Sequence, residues 1–170
     1  DSQGGLHVAS IAQPLQSQII SSLSIPKGGS YQVKIWNNQA YIAGGKAGII
    51  IVDLSDITAP KIIGSHSGSL GGDQIIADIR SIAYDSQWFV AVDKANSTLL
   101  FYDRTLTNWW ANKINPKRTV RIQGARRVIS SGRSKPGTFY VACEVAGLYE
   151  VNELGTSTLL SPTASKAQSF

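Results

Sequence analysis

The segment Gly48 to Ile63, GIIIVDLSDITAPKII, occurs more than once in this chain, and that repetition constrains the fold more than any other feature. Displaced back by 43 positions it falls on GLHVASIAQPLQSQII, where Gly48 meets Gly5, Leu54 meets Ile11, and Ile62 and Ile63 meet Ile19 and Ile20. Displaced forward by 99 it falls on GLYEVNELGTSTLL, where Gly48 meets Gly147 and Asp53 meets Asn152. Between these, STLLFYDRT puts Asp103 where Asp53 stands, at an offset of 50. An aromatic-apolar-Ala strand precedes the last three: AYIAGG from Ala40, WFVAVD from Trp88 and FYVACE from Phe139. Four copies of one unit are present, three of them whole.

Each whole unit holds four short runs of Val, Ile, Tyr, Phe and Trp between Gly, Asn, Asp, Ser and Pro clusters, the signature of strands and turns. In the unit containing Asp53 the runs fall at about 31–36, 39–43, 49–54 and 61–65. Only Leu106 to Asn115 offers a helical pattern, and a weak one. The fold class is all-β. Four antiparallel strands repeated every ~45 residues is the pattern of a β-propeller blade. One such sheet cannot cover its own faces, so blades stack face to face around an axis. That accounts for Ile49 to Val52 being apolar at every position. A sandwich of short strands is the competing architecture, but it does not call for repetition.

The phase of the repeat divides the chain. Residues 1–5 align with 44–48, inside the hairpin between second and third strands, so the first unit holds only its outer two strands. The expected organisation is a partial propeller over 1–160: a half blade at 1–23, blades at about 31–65, 79–115 and 125–160, then a polar tail at 161–170. Propellers close with 4–8 blades, so the remaining blades are expected from another polypeptide or from a segment outside this sequence. A four-blade ring closed by the last ten residues would need SPTASKAQSF to form a strand, and that segment is polar and poor in strand formers. The 170 residues contain no Met, even at position 1, which reads as a processed, trimmed or incomplete product. There is neither a signal-peptide pattern nor an apolar run of the ~18–20 residues a membrane span needs.

AYIAGGKAGIIIVDLSDITAPKIIGS, from Ala40, resembles the LVIVD repeat: an aromatic-Val-Ala strand, a Gly-rich hairpin, an L-V-I-V-D strand and an S-D-x-x-x-P turn. IIIVD and SDITAP carry the match. ARRVISSG, from Ala125, resembles the A-R-D-V-A-V-S-G that opens such repeats, with Arg127 where the family has an acid. LLFYD keeps the Asp; LHVAS loses it. The resemblance implies a β-propeller, an exported or cell-surface (extracellular or periplasmic) setting in bacteria or archaea, and no established activity.

Chemistry is sparse. No G-x-S-x-G, zinc or phosphate-loop motif appears, so no catalytic residue, cofactor or metal is assigned. His7 reads as a blade-face residue, and His66 borders a Gly/Ser-rich loop. Cys143, the single cysteine, excludes an internal disulfide and reads as a buried inert thiol. Asp53 and Asp103 recur at a strand end, which suits hydrogen bonding to turn amides.

Charge is uneven. Nine Lys and Arg and no acid lie between Arg104 and Lys135, leaving seven basic and eleven acidic residues elsewhere. Trp109, Trp110, Lys113, Lys117, Arg118 and Arg121 form a candidate docking patch for an acidic protein, a polyanionic glycan or membrane head groups. A solvated outer strand and loop is the plainer alternative. Nucleic acid is disfavoured, since no reading motif accompanies the charge. Aligning the whole units also puts Tyr31, Arg80 and Arg126 in equivalent places, with Arg127 beside the last. Propeller symmetry would gather them at one channel mouth, needing a counter-charge such as Asp73 or Asp78, or a bound anion. The functional expectation is a non-catalytic scaffold or recognition module in a larger assembly. The alternative is part of a propeller hydrolase or oxidoreductase whose reactive groups lie on other blades.

Overall fold

The strand-forming runs alternate with turn residues, and each turn is tight enough to return the chain alongside itself. A computed structural model describes residues 5–12, 14–25, 29–67, 77–106, 110 and 115–161. It contains β1 (Gly5–Ser10), β2 (Gln18–Ser24), β3 (Gln32–Trp36), β4 (Gln39–Ala43), β5 (Ile49–Asp53), β6 (Lys61–His66) and β7 (Ile79–Tyr84). These are followed by β8 (Trp88–Asp93), β9 (Thr98–Asp103), β10 (Arg118–Arg121), β11 (Ala125–Ser130), β12 (Thr138–Cys143), β13 (Gly147–Asn152) and β14 (Ser157–Ser161). A 3-10 turn at Pro14–Gln16 is the only helical element among the described residues. The weak helical pattern at Leu106–Asn115 falls mostly outside them.

The strands form three four-stranded antiparallel sheets, β3–β6, β7–β10 and β11–β14, and one pair, β1–β2. Neighbours in the sequence are neighbours in every sheet, so each unit is a meander, here blades 1, 2 and 3 and the N-terminal pair. The sheets are not closed into a ring. The fourth strand of blade 2 lies at Arg118–Arg121, past the position 115 at which the strand pattern alone ends that unit.

Three cores separate the sheets. Ile42, Ile50 and Val52 of blade 1 pack with Leu6 and Leu23 of the N-terminal pair. Tyr41, Ile49 and Ile51 meet Ile82, Phe89, Leu100 and Tyr102 of blade 2. Val90, Val92, Leu99 and Phe101 of blade 2 meet Val128, Phe139, Val141 and Val151 of blade 3. The run Ile49–Val52 therefore alternates between two cores: Ile49 and Ile51 face blade 2, and Ile50 and Val52 face the N-terminal pair. All four are at most 3% exposed, because a sheet between two others has no solvent face.

Coverage stops at the two ends of the arc. The pair β1–β2 packs with β4 and β5 of blade 1, while Val33 and Ile35 of β3 remain 45% and 61% exposed. On blade 3 no sheet among the described residues covers the face turned away from blade 2, and Ile129 there is 45% exposed.

Candidate functional site

The strands β3, β7 and β11 each form one edge of their sheet and carry the candidate mouth residues Arg80, Arg126 and Arg127, with Tyr31 just before β3. Register sets their equivalence. Gln32 pairs with Ala43 at the end of its ladder, and Ser81 with Val92 and Arg127 with Ala142 each one pair in from the end of theirs. Gln32 and Ser81 link blades: the Ile82 N–H donates to Gln32 Oε1 at 2.6 Å, and the Val128 N–H donates to Ser81 Oγ at 3.1 Å. Ser81 Oγ also donates to Gln32 Oε1 at 2.9 Å. These edge amides face the axis and have no further strand to bond, so a side chain from the preceding blade satisfies them.

The four candidate mouth residues do not form one cluster. Arg80 makes a two-point bond to Asp78, with Nε to Oδ1 at 2.7 Å and an Nη to Oδ2 at 2.8 Å. Its guanidinium stacks 3.8 Å above the Tyr31 ring, and the bond to Asp78 holds its pKa above the ordinary arginine value. Arg126 is ion-paired with Glu144. Both arginines occupy the bulged position of their strand, between Ile79 and Ser81 in β7 and between Ala125 and Arg127 in β11. Arg127 points elsewhere. It lines a cleft of about 440 Å³ with Gln32 and Lys34 of β3, Ile129 of β11, Tyr140 and Ala142 of β12, and Leu148 of β13. Asp73 lies outside the described residues.

The basic segment is largely absorbed by the fold. Lys117 Nζ donates to Asp103 Oδ2 at 2.6 Å, and Arg118 donates to the Leu154 carbonyl of blade 3. Arg104 stacks 4.0 Å over Trp36. Trp110 sits edge-on to Tyr41, with ring centroids 6.3 Å apart, and lies so close over Gly64 of β6 that a Cβ there would collide with the indole. It is a wedge between blades 1 and 2. Arg121 is exposed on β10. Trp109 and Lys113 lie outside the described residues.

Among the described residues no three His, Cys, Asp or Glu side chains gather as a metal site. His7 Nδ1 bonds Ser22 Oγ at 2.8 Å. His66 is buried, with its ring edge-on to Tyr102 of blade 2 at 4.8 Å. Cys143 is fully buried, and burial pushes its thiol up to about 11. Sequence reasoning missed Gln32 and Ser81 as links, and Lys34, Tyr140 and Leu148 as walls of the cleft. The register alignment that exposed Arg127 contained the first two.

The LVIVD repeat family model matches residues 27–67, which bracket blade 1. Blade 1 carries an LVIVD repeat, and the sheets follow the β-propeller plan. Outside that match the N-terminal pair and blades 2 and 3 share the LVIVD blade's strand plan with weaker motifs. No curated protein sequence matches the chain. Among solved structures, it is similar to a candidate 6-phosphogluconolactonase from Bacteroides uniformis at 13% identity and TM-score 0.63, covering 99% of this chain and 50% of that one. Hydrazine synthase from Kuenenia stuttgartiensis matches at 10% identity and TM-score 0.62, covering 85% and 39%. The β-propeller domain of Cps50 (Swd1) from Myceliophteria thermophila matches at 13% and 0.51, covering 82% and 38%. At these identities the likeness is one of fold. The chain spans half or less of the length of each.

Proposed function

We propose that this chain is a non-catalytic part of a larger propeller, serving as a scaffold or recognition module in an exported or surface-associated assembly. One observation carries the reading: among the described residues the sheets end the arc with apolar side chains exposed, Val33 and Ile35 on blade 1 and Ile129 on blade 3. Each blade needs two neighbours to cover its faces, and here two faces lack one. The absence of a paired nucleophile and base in the motifs favours recognition over chemistry. The exported setting follows from the family resemblance; no helix among the described residues is long and apolar enough to cross a membrane. Of the candidate site residues, Arg121 and Arg127 have no ion-pair partner among the described residues and are available to an acidic partner.

Native mass spectrometry of the protein isolated from its source tests this. The sequence is expected within a longer polypeptide or a stable complex that supplies further strands. A free, soluble, monomeric species of 18.2 kDa whose blade 3 face is solvent-accessible would overturn it.

A further inference from the structure

The face of blade 3 turned away from blade 2 has the residues of a blade-to-blade seam at three of four positions. Blade 1 meets blade 2 through the cross-strand pairs Tyr41–Ile51 and Ala43–Ile49. Blade 2 meets blade 3 through the equivalent pairs Val90–Phe101 and Val92–Leu99. On blade 3 the same positions hold Tyr140–Glu150 and Ala142–Leu148. Tyr140, Ala142 and Leu148 match Tyr41, Ala43 and Ile49 of the blade 1 seam, while Glu150, ion-paired with Lys135, stands where that seam has Ile51; among the described residues no sheet covers this face. An apolar sheet face of this kind is made to be buried.

The link at the axis, however, changes polarity. Gln32 and Ser81 each accept a backbone N–H from the following blade. Arg127 stands in the same register position and has only donors. Lys34, a second donor-only cation, lines the same cleft. Neither has an ion-pair partner among the described residues, and covering them with an apolar strand would strand both charges.

We propose that a further four-stranded blade seats on this face, and that its innermost strand presents a carboxylate to Arg127 and Lys34 in place of the backbone donor used at the other two seams. This rests on the reading above that additional blades complete the arc. Charge complementarity and the repeated seam residues select that occupant over a small anion, which would leave Tyr140 and Leu148 half-exposed.

Maleimide labelling of the full-length native assembly at neutral pH tests both layers. Ile129→Cys reports the face, Leu154→Cys on an exposed loop (67%) serves as reference, and the buried Cys143 reports loss of fold. Ile129→Cys is expected to label about tenfold more slowly than the reference, since thiol reactivity follows access. Adding Arg127→Glu is expected to remove most of that protection, about a tenfold rate increase, while Arg127→Lys preserves it. Should Arg127→Glu expose Cys143, the neutral Arg127→Gln replaces it, with an increase of about threefold expected. Equal labelling of Ile129→Cys and the reference overturns the further-blade reading and this inference together. Protection that persists in the charge-altered variants overturns the carboxylate alone. Protection that appears only on adding inorganic phosphate or citrate overturns the blade as occupant.

Discussion

Asp53, Asp103 and Asn152 close the third strand of their blades, and each folds its side chain onto the turn that follows. Asp53 Oδ1 accepts from the Ser55 N–H at 2.9 Å and the Ser55 hydroxyl at 2.7 Å. Asp103 Oδ1 accepts from the Thr105 N–H and hydroxyl at 3.0 and 2.6 Å, and Asn152 Oδ1 accepts from the Leu154 and Thr156 N–H groups, both at 3.0 Å. Hydrogen bonds from Ser55 hold the Asp53 carboxyl below 3.8, and those from Lys117 and Thr105 do the same at Asp103. With the folded pKa depressed, the unfolded chain takes up protons first, so this stabilisation is complete above 3.8 and is lost as pH falls through the folded values. Urea midpoints are expected to change little on this account between about pH 7 and 5 and to drop below about pH 4, with a smaller drop for Asp103→Asn. Gly48 and Gly147 share a different constraint. Their φ angles are 81° and 89°, and a Cβ on either would collide with the carbonyl of the adjacent outer strand, at His66 or Ser161. Gly48→Ala is therefore expected to cost about 2 kcal/mol or more in chemical denaturation, beyond what left-handed backbone strain alone costs.

At the scale of strands, β5 shows why most of this fold could be read in advance. A run of four β-branched residues fits a strand buried on both faces, and the turn SDITAP repeats the strand-end aspartate that fixes the phase. Ile51 is fully buried between blades 1 and 2, whereas Ile57 is 47% exposed in the turn. Ile51→Ala is expected to lower stability by about 2–5 kcal/mol and Ile57→Ala by no more than about 0.5, measured as urea unfolding free energies. What the strand pattern hid was contact between units. Nothing in the spacing of Arg126 announces Glu144, because the pairing depends on a bulge that turns Arg126 away from Arg127. Trp110 looked like part of a basic surface, but the notch that receives it is Gly64, in the preceding blade. Lys34 and Arg127 come from different blades, so the cleft between them has no signature in local sequence. The hairpins are local and legible; the seams are not, because each is the product of two surfaces.

The whole molecule is an arc of sheets held by repeated seams, each an apolar core with a few directed bonds at its margins. Tyr84 OH donates to the Ile35 carbonyl at 2.6 Å across one seam, and across the other Trp88 Nε1 donates to Glu153 Oε2 at 2.8 Å and the Gly137 N–H to Asp85 Oδ2 at 2.7 Å. Such an arc loses stability seam by seam rather than uniformly, since each blade touches only its neighbours. The axial links make that separation observable. The amides of Ile82 and Val128 are hydrogen-bonded across seams, not along a ladder, so exchange of their hydrogens with deuterium times the parting of one particular pair of blades. Gln32→Leu is expected to quicken exchange at Ile82 while leaving Val128 slow, and Ser81→Ala to quicken Val128 more than Ile82, as read by residue-resolved NMR. Equal acceleration at both amides would mean that the arc opens as a single unit. The two side chains that join the blades thus double as a pair of clocks, one for each seam between whole blades.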